Sequence, residues 1–191
     1  MLAKRRPLIV GLGGTTRPNS SSELALRTAL GFAEEAGAST LFFGGHDLQL
    51  PIYDPYVKDR AENAARLIEA LRSSDGVMIA SPGYHGSVSG MVKNALDYTE
   101  DMSGDARPYF DGRAVGCIAC ALGNQSIGAT LMAMRSIVHA LRGWPTPLGV
   151  GINTAMASGV EAESQKQQAE RQLRILARQV VNFANANCLV D

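Results

Sequence analysis

The chain has 191 residues, of which 46% are hydrophobic, so it can bury one sizeable core, and we predict a single domain over residues 1–191. Eighteen basic residues balance eighteen acidic ones, which argues against nucleic acid or an anionic membrane as the partner. Three scattered cysteines argue against a disulfide framework and favour the reducing cytoplasm, and no stretch approaches the ~20 apolar residues of a membrane span.

Short apolar blocks alternate with helical patterns along the whole chain. The blocks predict five strands, at residues 8–14, 40–43, 76–81, 114–122 and 148–152. The periodic segments predict helices near residues 21–36, 59–73, 89–102, 126–142 and 160–186. Because continuous apolar strands are buried on both faces, this alternation predicts an α/β fold with a parallel sheet between two helical layers. Pro145 and Pro147 cannot donate to a ladder, so we expect the fifth strand at an edge.

The turn after the first strand, here called the first loop (residues 14–22), gathers hydrogen-bond donors at the start of a helix. The donor side chains are Thr15, Arg17, Ser20, Ser21 and Ser22. Together with the free N–H groups and the positive end of the helix dipole, they suit a phosphate group. The segment has neither the lysine of a P-loop nor the third glycine of the dinucleotide fingerprint, which favours a mononucleotide.

Ser20 also has a purely structural interpretation. It stands three residues before Glu23 and just ahead of an apolar run, the capping-box pattern, so the helix should begin beside Ser20 or Ser21. Glu23 would oppose a phosphate if its carboxylate pointed inward, and we expect it to turn back along the capping box or to face solvent.

Two more loops should meet the first at the switch in strand order, where open α/β sheets bind ligands. The third-strand loop (residues 82–89) contains Pro82, Gly83, Tyr84, His85 and Gly86. The two glycines let the backbone approach a flat ring closely, Tyr84 supplies an aromatic wall, and His85 is a possible hydrogen-bond donor. The fourth-strand loop (residues 122–126) offers the polar groups of Gly123, Asn124 and Gln125, although Asn124 or Ser126 could simply cap the next helix.

Other tempting residues are set aside. Cys117 and Cys120 form a Cys-x-x-Cys pattern, but residues three apart on a strand point to opposite faces, which argues against a redox or zinc pair. His46 and His139 have no companions at metal-ligand spacing. We therefore predict no metal site and nominate no general acid or base.

Two longer motifs carry a family resemblance. Gly14-Thr15-Thr16-Arg17 with Ser20 to Ser22 resembles a Gly-Ser-x-Arg-x-x-Ser loop, and Ser81-Pro82-Gly83-Tyr84 with Gly90 to Tyr98 resembles Pro-x-Tyr followed by Gly-x-x-Lys-Asn-Ala-(Leu/Ile)-Asp-aromatic. In these motifs the chain resembles the NAD(P)H-dependent FMN reductases of the flavodoxin-like superfamily, which also includes quinone, azo-dye and chromate reductases. It looks most like the flavin reductases that feed two-component monooxygenases.

The resemblance implies a flavodoxin-like three-layer sandwich with a five-stranded sheet of order 2-1-3-4-5. It implies that Thr15, Arg17, Ser20 and Ser22 hold the FMN phosphate, that residues 82–86 line the isoalloxazine, and that residues 123–125 close its far side. Lys93 and Asp97 would lie near the interface of a homodimer or homotetramer. Gly83 and His85 depart from the Glu and Asn of many relatives, so the preferred substrate cannot be carried over.

The implied reaction is hydride transfer from NADH or NADPH to FMN, a chemistry that the cofactor itself supplies. The sequence leaves open which nicotinamide is used and whether FMN is a cosubstrate or a prosthetic group. One alternative is an enzyme that uses tightly bound FMN to reduce a quinone, an azo dye or chromate. Another is a flavodoxin-type electron carrier without nicotinamide activity. Such carriers are typically acidic, so the net charge of zero argues against this alternative.

Overall fold

The computed structural model describes residues 5–155 and 160–187. Its six parallel strands form one sheet and are β1 (Leu8–Gly13), β2 (Ser39–Gly44), β3 (Gly76–Pro82), β4 (Ala114–Ala121), β5 (Trp144–Pro145) and β6 (Val150–Asn153). The order is β2-β1-β3-β4-β5, and β6 also pairs with β4. The predicted strand order is therefore confirmed, and the switch between β1 and β3 lies at the middle of the sheet.

Five α-helices cover the two faces of the sheet: α1 (Ser21–Glu35), α2 (Glu62–Ser73), α3 (Gly90–Asp97), α4 (Asn124–Ala140) and α5 (Val160–Asn187). Helices α1 and α5 pack on one face through residues such as Leu26 and Leu176. Helices α2, α3 and α4 pack on the other face, through residues such as Leu67 and Val92. Strand residues divide between the two cores in alternation, as the pleat requires, which confirms the predicted three layers.

The edge of the sheet differs from the prediction of five strands. Two short strands, β5 and β6, lie along the same neighbour β4: the strand predicted at residues 148–152 is β6, and β5 is an additional strand before it. Pro145 and Pro147 remove donors there, and Arg135 of α4 binds the carbonyl oxygens of Thr146 and Pro147 at 2.8 and 2.9 Å. The chain therefore bends away from β4 before it pairs again.

Two helix boundaries also differ from the prediction. Helix α2 begins at Glu62 and not at residue 59, because the Arg60 side chain binds Asp101 and the Asp54 carbonyl oxygen and keeps the preceding loop extended. The third helical segment changes at Tyr98 from α-helix to a 3-10 helix that runs to Met102, and another 3-10 helix covers Gly45–Leu48. Within the described residues, the helices are too short or too polar to cross a membrane.

Candidate functional site

A groove of about 700 Å³ opens at the carboxyl edge of the sheet, where the first, third-strand and fourth-strand loops meet. Its volume lies within the range of about 300–1,000 Å³ that small-molecule sites occupy. Eight of its lining residues were predicted from the sequence: Thr15, Arg17, Ser20, Ser21, Ser22, Pro82, Gly83 and Tyr84. The groove is also lined by Thr16, Cys120, Ala121, Leu122, Ser126 and Thr154. The switch in strand order therefore brings together segments that are far apart in the sequence.

The first loop owes its path to the close approach of β1 and β3. Gly13 has φ +149°, and a Cβ on it would lie 2.0 Å from the carbonyl oxygen of Ala80 on β3. The next N–H, of Gly14, donates to the same oxygen at 3.2 Å. Glycine is therefore required at residue 13, and the chain leaves β1 directly over the middle of the sheet.

Ser20 is the N-cap of α1, because its Oγ accepts a hydrogen bond from the N–H of Glu23 at 3.3 Å. The predicted helix start is thus confirmed. The Ser22 hydroxyl lies 3.4 Å from the Ser20 hydroxyl, and both side chains are buried. Thr15 Oγ1 closes the loop by accepting from the N–H of Arg17 at 3.1 Å. The hydroxyls of Thr15, Ser20 and Ser22 are therefore held near the positive end of a 15-residue helix.

Glu23 does not behave as the sequence suggested. Its carboxylate is neither returned to the cap nor exposed: it is buried and accepts a hydrogen bond from Arg27 Nε at 2.9 Å, one turn further along α1. Arg27 in turn covers the ring of Phe42, 3.6 Å from the centroid. The negative charge of Glu23 is therefore paired with the positive charge of Arg27 on the same helix.

The third-strand loop folds into a tight hairpin turn. Tyr84 and Ser87 exchange two backbone hydrogen bonds of 3.0 Å, and His85 and Gly86 at the tip have φ values of +50° and +81°. Such a turn places both central residues in the left-handed region, which is strained for histidine. His85 and Gly86 are exposed beside the groove and do not line it.

Contacts at both ends hold this turn in place. At its start, Gly83 packs so closely on α4 that a Cβ would lie 2.6 Å from Thr130 Oγ1 and 2.8 Å from Ser126 Oγ. Thr130 Oγ1 also lies 3.4 Å from the Ser87 carbonyl oxygen. Toward α3, the buried Ser81 hydroxyl accepts from the N–H of Ser89 at 2.9 Å. The glycine at residue 83 therefore lets the loop lie against α4.

The fourth-strand loop leads directly into α4. Gly123, with φ +103°, is the N-cap and provides no side-chain acceptor, so the N–H groups of the first helical turn are not capped by Asn124 or Ser126. Gly123, Asn124 and Gln125 do not line this groove, although Asn124 lines a neighbouring one. Their predicted contact with the ligand stays a prediction.

Several residues of the groove were not found from the sequence. Leu122 is 77% exposed and forms an apolar wall, whereas the sequence pattern assigned it to the fourth strand. Asn153 Oδ1 accepts from the N–H groups of Gly123 at 3.3 Å and of Ala155 at 3.0 Å, so it joins the fourth-strand loop to the end of β6. Leu122 gave no local signal, because it continues the apolar run of the fourth strand. Asn153 gave none, because its partner lies 30 residues away.

The two cysteines of the Cys-x-x-Cys pattern are buried, and Cys120 also lines the groove. Cys117 packs in the core under α2–α4 and Cys120 in the core under α1 and α5, which confirms that their side chains point to opposite faces. Burial raises the pKa of each thiol to about 12, so both are protonated at neutral pH. The third cysteine, Cys188, lies outside the described residues. Within the described part of the chain, no group of His, Cys, Asp and Glu side chains could hold a metal ion.

Comparison with known proteins identifies relatives of this chain. Residues 7–157 match the family described as "NADPH-dependent FMN reductase". The "FMN-dependent NADPH-azoreductase" of Staphylococcus aureus is 28% identical over 164 residues, which cover 76% of this chain and 84% of the relative.

Solved structures with the same fold include two flavin proteins. RosB, solved with bound 8-demethyl-8-formylriboflavin-5'-phosphate, superposes with a TM-score of 0.74 at 16% identity, over 94% of this chain and 79% of RosB. The apo form of the NADH:FMN oxidoreductase EMOB gives a TM-score of 0.64 at 20% identity, over 88% of this chain and 89% of EMOB. At such identities the likeness shows the flavodoxin-like fold.

Proposed function

The chain belongs to the family of NADPH-dependent FMN reductases, and from that membership we propose that its 191 residues form one domain, which holds FMN in the groove at the carboxyl edge of the sheet. The protein is an NAD(P)H-dependent flavin oxidoreductase with FMN and NADPH as its cofactors. The observation that carries the proposed site is the meeting of the three loops around one groove, with hydroxyls at one end and apolar walls at the other.

The first loop fits the phosphate of FMN. Thr15, Ser21 and Ser22 bring hydroxyls to the N-terminus of α1, where the helix dipole favours a negative charge. The Arg17 guanidinium adds the charge that a phosphate needs in order to bind more strongly than through hydroxyls alone. Ser20 already caps the helix, so its share in phosphate binding is smaller than that of its neighbours.

The other two loops fit the isoalloxazine ring. Pro82, Tyr84 and Leu122 give the groove apolar walls, and Leu122 would lose much of its exposure against a bound ring. The N–H groups of His85 and Gly86 at the tip of the hairpin, and those in the first turn of α4, are donors for the polar edge of the ring. FMN, when bound, supplies the hydride-accepting chemistry. The protein's part is to bind and orient the ring and to leave room for the nicotinamide beside it.

A second candidate acceptor is an azo compound, because the relative from S. aureus is named an FMN-dependent NADPH-azoreductase. In that case FMN would stay bound as a prosthetic group and pass its electrons on. The two functions share the same groove and differ in how tightly FMN is held.

Steady-state assays with NADH and with NADPH, each with and without added FMN, test the proposal beside a visible spectrum of the purified protein. We expect nicotinamide oxidation that depends on added FMN. A yellow protein that reduces an azo dye or a quinone without added FMN would favour the second candidate. If neither nicotinamide reduced the flavin under anaerobic conditions, the reductase function would be wrong and an electron carrier would remain.

We also propose that the reduced FMN is supplied to a flavin-dependent monooxygenase, as the motifs in the sequence suggest. The open groove, with an exposed Leu122 on its wall, supports release of the flavin after reduction. A coupled assay measures it: the reductase, NADPH and FMN should support oxygenation by a two-component monooxygenase that has no reductase of its own. The absence of product at full FMN turnover would count against this role.

Assembly and location are further proposals. We propose a homodimer or homotetramer, because the segment at residues 52–57 exposes Ile52 by 84% and Tyr56 by 90%. We propose a cytoplasmic location, because Cys117 and Cys120 are unpaired and buried, as cysteines are in proteins of reducing compartments. Fractionation of cells expressing the tagged protein would test the location.

A further inference from the structure

A second, larger groove lies beside the groove proposed for FMN, here called the flavin groove, and we propose that it receives the adenylate half of FAD, so that the protein binds FAD as well as FMN. This inference rests on the proposed function, because it takes the first loop as the phosphate site. The groove has a volume of about 1100 Å³ and lies between α1, the start of α4, the end of β6 and the first half of α5.

The two grooves adjoin each other. Ser21 of the first loop and Thr154 after β6 line both of them. In FAD the second phosphate is joined to the phosphate of the FMN half, so the rest of the molecule must leave the first loop next to the α1 N-terminus. Ser21 and Thr154 stand where the flavin groove opens into the larger one. An adenylate extension can therefore enter the larger groove without displacing the first loop.

The lining of the larger groove suits an adenosine. Leu24, which is 49% exposed, lines the groove together with Ile152 and Leu173, and these side chains offer apolar contact for a base. Thr28, Gln168 and Gln172 bring hydroxyl and amide groups that can serve a ribose or the polar edge of adenine. Such a mixture of apolar walls with a few polar groups is typical of nucleotide sites.

The electrostatics of the larger groove do not attract the second phosphate. Lys166 lies in the groove together with Glu163 and Glu170, so one positive charge stands against two negative ones. FMN and FAD both carry about two negative charges, and the FMN half would bring its charge to the same first loop. The gain from the adenylate half must therefore come from apolar contact and hydrogen bonds.

A nicotinamide nucleotide is a poorer occupant of this groove. Its reactive ring has to lie against the isoalloxazine, whose proposed walls are Pro82, Gly83 and Tyr84. These three residues do not line the larger groove, which begins at the phosphate end of the flavin site. The geometry therefore favours an extension of the flavin over the second substrate.

Calorimetric titrations of the full chain with FMN and with FAD test the proposal. The groove can be filled by Gly128→Tyr, since Gly128 lines it and an added Cβ there meets nothing within 4 Å. Gly31→Tyr on α1 is the matched control, because this helical glycine also has open space and lies outside both grooves. Gly128→Glu is a second groove variant that adds a negative charge instead of bulk.

The wild type should bind FAD within about threefold of FMN or more tightly. Gly128→Tyr and Gly128→Glu should each weaken the affinity for FAD by about tenfold or more and leave the affinity for FMN within about twofold of the wild type. Gly31→Tyr should change neither affinity. An unchanged FAD affinity in both Gly128 variants would overturn the inference, as would binding of FMN without FAD by the wild type. If the wild type bound neither flavin, both this inference and the proposed function would be wrong.

Discussion

Arg17 is the charged side chain of the first loop and lies exposed at the rim of the groove. Its own N–H donates to Thr15 Oγ1, so the backbone there is fixed while the guanidinium stays available to a ligand. The hydroxyls around it are shared with the helix cap, as the bond from the Glu23 N–H to Ser20 shows. A phosphate in this loop would therefore depend on Arg17 more than on any single serine.

Arg17→Ala should weaken FMN binding by roughly 1.5 to 3 kcal/mol, the contribution of a hydrogen bond to a charged group. Quenching of FMN fluorescence measures the dissociation constant. Arg178→Ala is the matched control, because Arg178 is an exposed arginine on α5 that lines neither groove. An unchanged FMN affinity in Arg17→Ala would show that the first loop is not the phosphate site.

Asn153 acts on the site through the backbone of the fourth-strand loop. Asn153→Ala removes the acceptor for the N–H groups of Gly123 and Ala155 and should weaken FMN binding by about 1 kcal/mol. Asn153→Asp keeps the oxygen acceptor and should restore most of the affinity, which a loss of packing would not allow. Titration of both variants with FMN measures the difference, and equal losses would contradict a positioning role.

The sequence predicted the site residues only where local chemistry is distinctive. Hydroxyls and a guanidinium at a helix start indicate an anion site from one stretch of chain, and the structure brings Thr15, Arg17 and Ser22 into one groove. The roles of Leu122 and Asn153 depend on contacts across the sheet. Such contacts leave no local pattern, so they could not be predicted.

At the scale of elements, the loop between β2 and α2 shows how side chains fix a segment without regular structure. Arg60 binds Asp101 through two hydrogen bonds of 2.7 Å and lies over the rings of Tyr53 and Tyr98. Asn94 of α3 accepts from the Tyr53 N–H at 2.9 Å and donates to the Pro51 carbonyl oxygen at 2.8 Å. The loop is therefore bound to α3 and to the 3-10 helix that follows it.

The Arg60–Asp101 pair should make stability depend on pH in the acid range. Hydrogen bonding to Arg60 lowers the pKa of Asp101 in the folded state. The pair therefore contributes fully to the free energy of unfolding above the pKa of about 4 that Asp101 has in the unfolded chain, and this contribution is lost as the pH falls through the lower pKa of the folded state. Asp101→Asn should lower the free energy of unfolding by about 1 to 2 kcal/mol at pH 7. Urea unfolding at pH 7 and pH 3 should show that this difference shrinks in acid.

Asp97→Asn is the control for that experiment. Asp97 pairs with Lys93 at 2.6 Å, but the two side chains are 43% and 50% exposed. Asp97→Asn should therefore lower the free energy of unfolding by about 0.5 kcal/mol or less. If Asp101→Asn lowered the free energy of unfolding by the same amount at both pH values, the pair would contribute to stability through packing and not through charge.

The elements themselves were largely predictable, and the exceptions have long-range causes. The apolar blocks located the first four strands, and the capping pattern at Ser20 located the start of α1. The interruption between β5 and β6 depends on Arg135 of α4, and the late start of α2 depends on Asp101. Both partners come from other parts of the chain, so neither boundary could be read from its own segment.

At the scale of the whole molecule, one surface remains apolar beside α3. Ile52, Tyr56 and Val57, here called the Ile52–Val57 surface, are 84%, 90% and 48% exposed. Their segment is anchored near its start, by Asn94 at Tyr53 and by Arg60 at Asp54. Anchored apolar side chains in water are typical of protein–protein contacts, and the exposed Lys93–Asp97 pair lies on the same helix as Asn94.

We therefore expect the Ile52–Val57 surface to bury itself against another copy of the chain. Light scattering after size exclusion should give a mass two or four times 20.3 kDa for the wild type. The double variant Ile52→Glu, Tyr56→Glu should shift towards 20.3 kDa, because a charge buried in an apolar contact costs several kcal/mol. Ile175→Glu is the control, since Ile175 is an exposed apolar residue on α5, 49% accessible, and should leave the mass unchanged. A wild-type mass of 20.3 kDa would contradict the assembly, and a double variant that keeps the larger mass would place the interface elsewhere.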